Sequence, residues 1–322
     1  MSWTIEGKLV LVTGATSGLG LATATELARR GAHVLAVARS QERGASAAST
    51  IVDAAPGATI ELLECDLSRM SQVRRLAETV SRRHGRLDVL LNNAAVAMFS
   101  RELTEDGLET SFAVNHLAPF LLTNLLLPVL QVPQEARVIT VSSDNHKGVK
   151  QVPWDDLQGD REFKPLPAYD RTKLLNVWFT RILAERLAGS TITANAVSPG
   201  FVKTGLARNA TGPFSFFIRY VAPLFQSSPD KGAQTAVYVA CAPELSGVSG
   251  QYFAGAKQAK AGGLAEDHEQ AQRLWARSEK LSGWSASIPR AGLSRGDVRT
   301  RTWQGKKPAS GRILAGAQDG EP

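Results

Sequence analysis

The chain reads as an α/β protein built on a doubly wound parallel sheet. Strand-length apolar runs alternate with helix-forming segments from residue 8 to about 255. A glycine-rich turn joins the first run to the first helix. No linker or internal repeat interrupts the alternation before residue 285.

Lys8-Leu9-Val10-Leu11-Val12 is apolar and β-branched and reads as a buried strand. The turn Thr13-Gly14-Ala15-Thr16-Ser17-Gly18-Leu19-Gly20 follows. Leu21 to Arg30 is rich in helix formers and is closed by Gly31. Further strands are expected at His33–Ala38, Ala58–Cys65, Leu87–Leu91, Arg137–Ser142, 191–197 and Gln251–Phe253. Helices are expected at Ser71–His84, between Glu105 and Leu130, at 169–188, near 230–241 and at about 265–282. The simplest division is one domain over 1–284 and a tail over 285–322.

Composition agrees with a globular protein, at 43 % apolar and 21 % charged residues. The first eight residues lack the apolar core of a signal peptide. The apolar stretch Leu117–Val132 is interrupted by Thr123, Asn124 and Pro128 and reads as a buried helix, so no membrane anchor is expected. Cys65 and Cys241 lie far apart without metal-ligand spacing, as core residues in a reducing, cytoplasmic compartment. Five scattered histidines give no metal site. The net charge of +7 is uneven: the tail carries seven Lys/Arg against three acids, a net +4. Without apolar periodicity that tail is expected to be disordered. A nucleic-acid arm would call for interleaved aromatics, which it lacks, so no nucleic-acid partner is expected.

Two features carry chemistry. Strand, glycine turn and helix together form the setting of a dinucleotide fingerprint, with the pyrophosphate on the helix N-terminus. The spacing here is Gly-x-x-x-Gly-x-Gly. Tyr169 is the one tyrosine of four with a lysine, Lys173, four residues on. On a helix the two share a face. A phenol ionises near pH ~10, and a neighbouring cation is expected to lower that value so the pair can exchange a proton with a carbonyl or alcohol oxygen. The nucleotide type follows from the second strand, which ends Val37-Ala38-Arg39-Ser40 without the acid that binds a ribose 2′-hydroxyl. Arg39 can instead pair with a 2′-phosphate, which favours NADP (NADPH) over NAD.

With these residues in view, the chain resembles the short-chain dehydrogenase/reductase superfamily, a Rossmann-fold family, over residues 8 to about 255. The matching motifs run in order: Thr13–Gly20, Asp66-Leu67, Asn92-Asn93-Ala94-Ala95, Asn115, Val141-Ser142-Ser143, Tyr169-x-x-x-Lys173 and Pro199-Gly200. Asn145-His146 after the serines, Asp156-Leu157, and the separation of 26 between Ser143 and Tyr169 resemble the retinol-dehydrogenase-like branch.

The resemblance implies Tyr169 as general acid/base and Lys173 holding the nicotinamide ribose. It implies Ser143 on the substrate oxygen, and Asn115 anchoring a water in a relay to Lys173. Since side chains alternate along a strand, only one of Ser142 and Ser143 can face the site. Gly14, Thr16, Ser17, Gly18, Leu19 and Gly20 would line the pyrophosphate, and Asp66 and Leu67 the adenine. Asn92 and Ala94 would follow the ribose, with Pro199, Gly200, Val202 and Thr204 around the nicotinamide carboxamide. Ala95 stands where glycine is more usual. Branch members often carry an N-terminal membrane anchor, which this chain is expected to lack. A homodimer through the 105–130 and 169–188 helices is implied.

The segment between Phe201 and Pro229 is dense in aromatics (Phe214, Phe216, Phe217, Tyr220, Phe225). As a lid it would select a lipophilic aldehyde, ketone or alcohol; equally, it could pack the loop or a subunit interface. Three other functions fit the motifs less well. They are reduction of an activated C=C bond, a nucleotide-sugar epimerase, and a non-catalytic NADPH sensor, which would not need both Tyr169 and Lys173.

Overall fold

A computed structural model of the protein describes residues 3–200, 228–285 and 313–315. Seven strands run parallel: β1 (Leu9–Thr13), β2 (His33–Ala38), β3 (Thr59–Glu64), β4 (Val89–Asn92), β5 (Ala136–Val141), β6 (Ile192–Ser198) and β7 (Tyr252–Ala254). Their order is β7-β6-β5-β4-β1-β2-β3, and β8 (Lys257–Ala259) adds antiparallel to β7. The winding reverses between β1 and β4, so a crevice opens at their carboxyl ends.

Alternation along β1 divides the core into two layers. Leu9 and Leu11 face α3 (Met70–His84), α4 (Thr110–Leu130), α5 (Pro165–Arg186) and α7 (His268–Ser282). Val10 and Val12 face α1 (Gly18–Arg29), α2 (Gln41–Ala54) and α6 (Pro229–Cys241). Every residue of β1 is buried, as a strand covered on both sides requires.

Helix α4 is long and apolar enough to cross a membrane by length and composition, yet 89 % of its apolar window is buried inside the fold. It is the central helix of one layer. Helix α7 lies over α4 and α5, with Trp275 stacked on Phe179 and edge-on to Phe120. His116 Nε2 of α4 meets Ser278 Oγ of α7 at 2.8 Å. The two helices through which a homodimer is implied therefore carry α7 on one face.

The expected elements fall within a few residues of the observed ones, with two additions. Helix α2 has no counterpart in the sequence reading, because Gly44, Ser46, Ser49 and Thr50 weaken its propensity. It is held instead by buried Ala47, Ala48 and Ile51, and by Gly44, where an added Cβ would lie 3.2 Å from Ala38 Cβ. Strand β8 was also unexpected. Of the tail, only Ser285 and Ile313–Ala315 fall among the described residues, the latter paired parallel with β3; the rest, like the aromatic segment 201–227, lies outside them.

Candidate active site

The glycine turn sits at the end of β1, and its three glycines answer three different demands. Gly14 has φ +67, and an added Cβ would come within 2.9 Å of Ala94 Cα. Gly18 has φ +52, which glycine adopts freely. At Gly20 a Cβ would lie 2.1 Å from Gly14 O and 2.4 Å from Asn93 Nδ2. Ser17 is the N-cap of α1 without a side-chain cap bond, and the first turn carries no acid. Thr16 is half-buried beside it, and Leu19 is buried in the core. The result is a bare helix N-terminus fit for an anion such as a pyrophosphate.

Two residues not singled out as site residues lock this turn. Thr13 Oγ1 accepts from Asn93 N (2.9 Å) and Ala94 N (3.1 Å), and Asn93 Nδ2 donates to Thr13 O (2.8 Å). They tie the end of β4 to the end of β1. The Asn92-Asn93 pair was the available signal, but the neighbour does the locking. Asn92 Nδ2 donates instead to Thr123 Oγ1 of α4 at 2.9 Å, and Asn92 is buried. Its side chain faces the helix layer, so a ribose could meet only its main chain. Ala95 carries no backbone strain, since Ala256 is the only described non-glycine with positive φ.

Along the crevice, Asp66 Oδ1 accepts from Ser68 N and Oγ, while its backbone N–H donates to Gln72 Oε1. Leu67 beside it is buried. Arg39 is exposed at the end of β2 and has no ion pair or hydrogen bond among the described residues. Pro199 and Gly200 leave β6, with Gly200 at φ +74 and its N–H donating to Ser198 Oγ at 3.3 Å. Val202 and Thr204 lie outside the described residues.

Tyr169 and Lys173 share a face of α5, with Lys173 Nζ 5.4 Å from the Tyr169 ring centroid. The expected lowering of the Tyr169 pKa by Lys173 is not found. Burial pushes the phenol up, and Asp170 beside it adds to the shift. The ammonium lies over the ring. It is itself buried and donates to Val141 O at 3.3 Å. Desolvation lowers Lys173 to about 8.

The two serines diverge as alternation demands. Ser142 is buried and its Oγ donates to Lys173 O at 2.8 Å, a bond inside the scaffold. Ser143 is half-buried, and among the described residues its Oγ accepts only a 3.3 Å bond from Asn145 N. Its hydroxyl hydrogen is left for another acceptor.

Asn115 lies in a π turn, Ala113–Leu117, of α4. Its Oδ1 accepts from Val96 N (2.8 Å), and its Nδ2 donates to Val96 O (2.8 Å) and Thr172 Oγ1 (3.0 Å). Both amide hydrogens are used, so the side chain ties the loop after β4 to α5. A π turn displaces backbone groups from the ordinary ladder and is common at functional sites.

A profile of the short chain dehydrogenase family matches residues 8–212. Mouse retinol dehydrogenase 14 is 40 % identical over 291 residues, covering 87 % of each chain. Human retinol dehydrogenase 13 is 41 % identical over 289 residues, covering 88 % of this chain and 87 % of the relative. Human polyprenol dehydrogenase is 36 % identical, covering 86 % and 85 %. Among solved structures, an uncharacterized protein from Mycobacterium paratuberculosis superposes with TM-score 0.71 at 34 % identity, over 89 % of this chain and all of that one. A protein from Beutenbergia cavernae, assigned as an NAD(P)-dependent gluconate 5-dehydrogenase with bound NADP at low occupancy, superposes with TM-score 0.62 at 28 % identity, over 78 % and 96 %. With a family match over more than half its length and relatives near 40 % identity, the chain belongs to the short-chain dehydrogenase/reductase family, in its retinol-dehydrogenase-like branch.

Proposed function

We propose that the protein is an NADP-dependent oxidoreductase acting on the carbonyl or alcohol carbon of a lipophilic substrate, with Tyr169 as general acid/base. The observation that carries this reading is the meeting of two elements at one end of the sheet. Asn145, two residues after Ser143, donates to Asp170 Oδ1 at 2.9 Å, and Asp170 adjoins Tyr169. The serine turn and the tyrosine helix are thus joined directly, with Lys173 over the phenol ring.

A bound nicotinamide would supply the hydride chemistry. The chain's own residues do the rest. Ser143 donates its free hydroxyl hydrogen to the substrate oxygen and stabilises charge developing there. Tyr169, kept neutral by burial, gives its phenolic proton to that oxygen in reduction and takes one back in oxidation. Lys173 would hold the ribose hydroxyls.

Arg39, without an ion pair among the described residues, and the lack of an acid at the end of β2 support NADP. The bound NADP of the Beutenbergia cavernae protein agrees with it. Retinol and polyprenol in the names of the relatives support a lipophilic alcohol or aldehyde.

The test is fluorescence titration with NADPH and NADH, followed by turnover on lipophilic aldehydes and ketones. Tighter NADPH binding is expected, with Arg39→Ala losing about 10- to 100-fold of that preference, as a hydrogen-bonded charge pair implies. A wild-type preference for NADH would sink the NADP assignment. Turnover that survives Tyr169→Phe would sink the role of Tyr169.

A further inference from the structure

We propose that Asp144, Asn145 and His146 are positioning residues that mount Ser143 by tying its turn to three separate segments. This deepens the reading above and rests on it, because it takes Ser143 as the partner of the substrate oxygen.

Ser143 ends the strand run and caps a single turn of 3₁₀ helix, Asp144–Gly148. Such a turn is too short to hold its own geometry. Each of the next three residues reaches outward. Asp144 Oδ2 accepts from Ser198 Oγ at 2.8 Å, and Ser198 Oγ in turn accepts from Gly200 N at 3.3 Å. Its Oδ1 accepts from the Tyr252 hydroxyl of β7 at 3.4 Å and pairs with Lys147. This leg ends on the bend Pro199–Gly200. Asn145 Nδ2 donates to Asp170 Oδ1 at 2.9 Å, and this leg ends on the tyrosine helix. His146 is buried, with Nδ1 2.5 Å from Ser143 O and Nε2 3.0 Å from Ala261 O. This leg fixes the serine's own carbonyl and ends between β8 and α7. A neutral ring donates to one of the two carbonyls, and a protonated ring to both. The Tyr252 ring stands edge-on to the imidazole at 5.1 Å, so it cannot swing toward β7.

Three attachments in three directions are what fixing a point requires. A donor displaced by about 1 Å can lose on the order of a hundredfold in rate. Bonds that only stabilised the fold would have no need to start from three consecutive residues and finish on the tyrosine helix and the Gly200 bend.

The experiment compares Asn145→Ala, Asp144→Ala and His146→Ala with wild type and Tyr169→Phe. It measures kcat, KM for the carbonyl substrate, NADPH Kd by fluorescence, and Tm. Asn145→Ala and His146→Ala are expected to lower kcat by roughly 10- to 100-fold with NADPH Kd unchanged. Asp144→Ala is expected to lower kcat and also weaken NADPH, because its leg ends at Gly200. His146→Asn, with a shorter amide placed for Ser143 O, is expected to recover more of kcat than His146→Gln, whose reach is toward Ala261 O. That pair carries the comparison if His146→Ala does not fold. Wild-type kcat in Asn145→Ala and His146→Ala would overturn the mount, as would kcat and Kd falling together in step with Tm in all three alanine variants. Continued turnover by Tyr169→Phe would overturn the underlying reading of the site instead.

Discussion

The glycine turn after β1 and the serine turn after β5 lie at the same end of the sheet, but they are shaped by opposite means. The first is defined by atoms that are missing. Gly14 and Gly20 let the backbone of one turn lie against Ala94, Asn93 and its own carbonyl. The second is defined by side chains that reach out: Asp144, Asn145 and His146 hold Ser143 from three segments. A turn built on steric exclusion fails when one atom is added. A turn built on hydrogen bonds fails in steps, one leg at a time.

The largest effect is expected at Gly20→Ala. The new methyl would sit 2.1 Å from Gly14 O, a backbone atom that cannot rotate away. Overpacking alone costs about 1–3 kcal/mol, and the displaced turn should lose NADPH binding altogether. Normal NADPH affinity with normal denaturant stability would break the steric account of this turn.

Tyr169→Phe comes next. It leaves the glycine turn untouched, so NADPH Kd should hold while kcat falls by roughly two to four orders of magnitude. A parallel loss of cofactor affinity would mean that the two turns are not separable.

A third test uses Lys173, whose burial lowers it from 10.5 to about 8. Between those values the unfolded chain binds the proton that the folded chain does not. Stability from this group therefore rises with pH across the window and is lost as pH falls through about 8. The Tyr169 phenol, raised above its ordinary 10, and the Cys65 and Cys241 thiols, pushed up by burial from 9, act in the opposite sense, so the Lys173 contribution is the difference between wild type and Lys173→Met from about pH 8 to 10. In denaturant melts, wild type should gain stability relative to Lys173→Met as pH rises over that range. Equal pH slopes in both would show that the ammonium is not desolvated.

The smallest effect on the site is expected from His116, under α7. Complete burial lowers it from 6.5 to about 3. Its stability contribution is fully present above 6.5 and is lost as pH falls toward 3. His116→Leu should flatten the acid limb of a stability-against-pH curve while leaving NADPH affinity at pH 7 near wild type. An unchanged acid limb would place the acid sensitivity elsewhere, with His33 the next candidate because burial also lowers it.

The site was legible to the extent that its chemistry depends on residue type at fixed spacing. Tyr169 and Lys173 are four apart on a helix, and Ser142 and Ser143 must face opposite ways on a strand. Where a role depends on what lies across the fold, the reading was incomplete. Asn92 turns into the helix layer while Asn93 locks the turn, because consecutive side chains at the end of β4 point to opposite faces. The Tyr169–Lys173 spacing pointed to a lowered phenol pKa, but burial outweighs the ammonium, and burial is not a property of two residues. Helix α2 went unread because its propensity is poor and its stability comes from contact with β2 and β3.

The sequence alone determined the alternation of strands and helices, the glycine turn, the four-residue spacing of Tyr169 and Lys173 and the absence of an acid after β2. All of these are local patterns, set by backbone periodicity and by the chemistry of single residue types. The tertiary structure decided which asparagine locks the turn, where Asn115 spends its amide hydrogens, how burial moves Tyr169 and Lys173, and how three consecutive residues brace Ser143. Each of those depends on partners dozens of residues away, and only folding brings such partners within hydrogen-bonding distance.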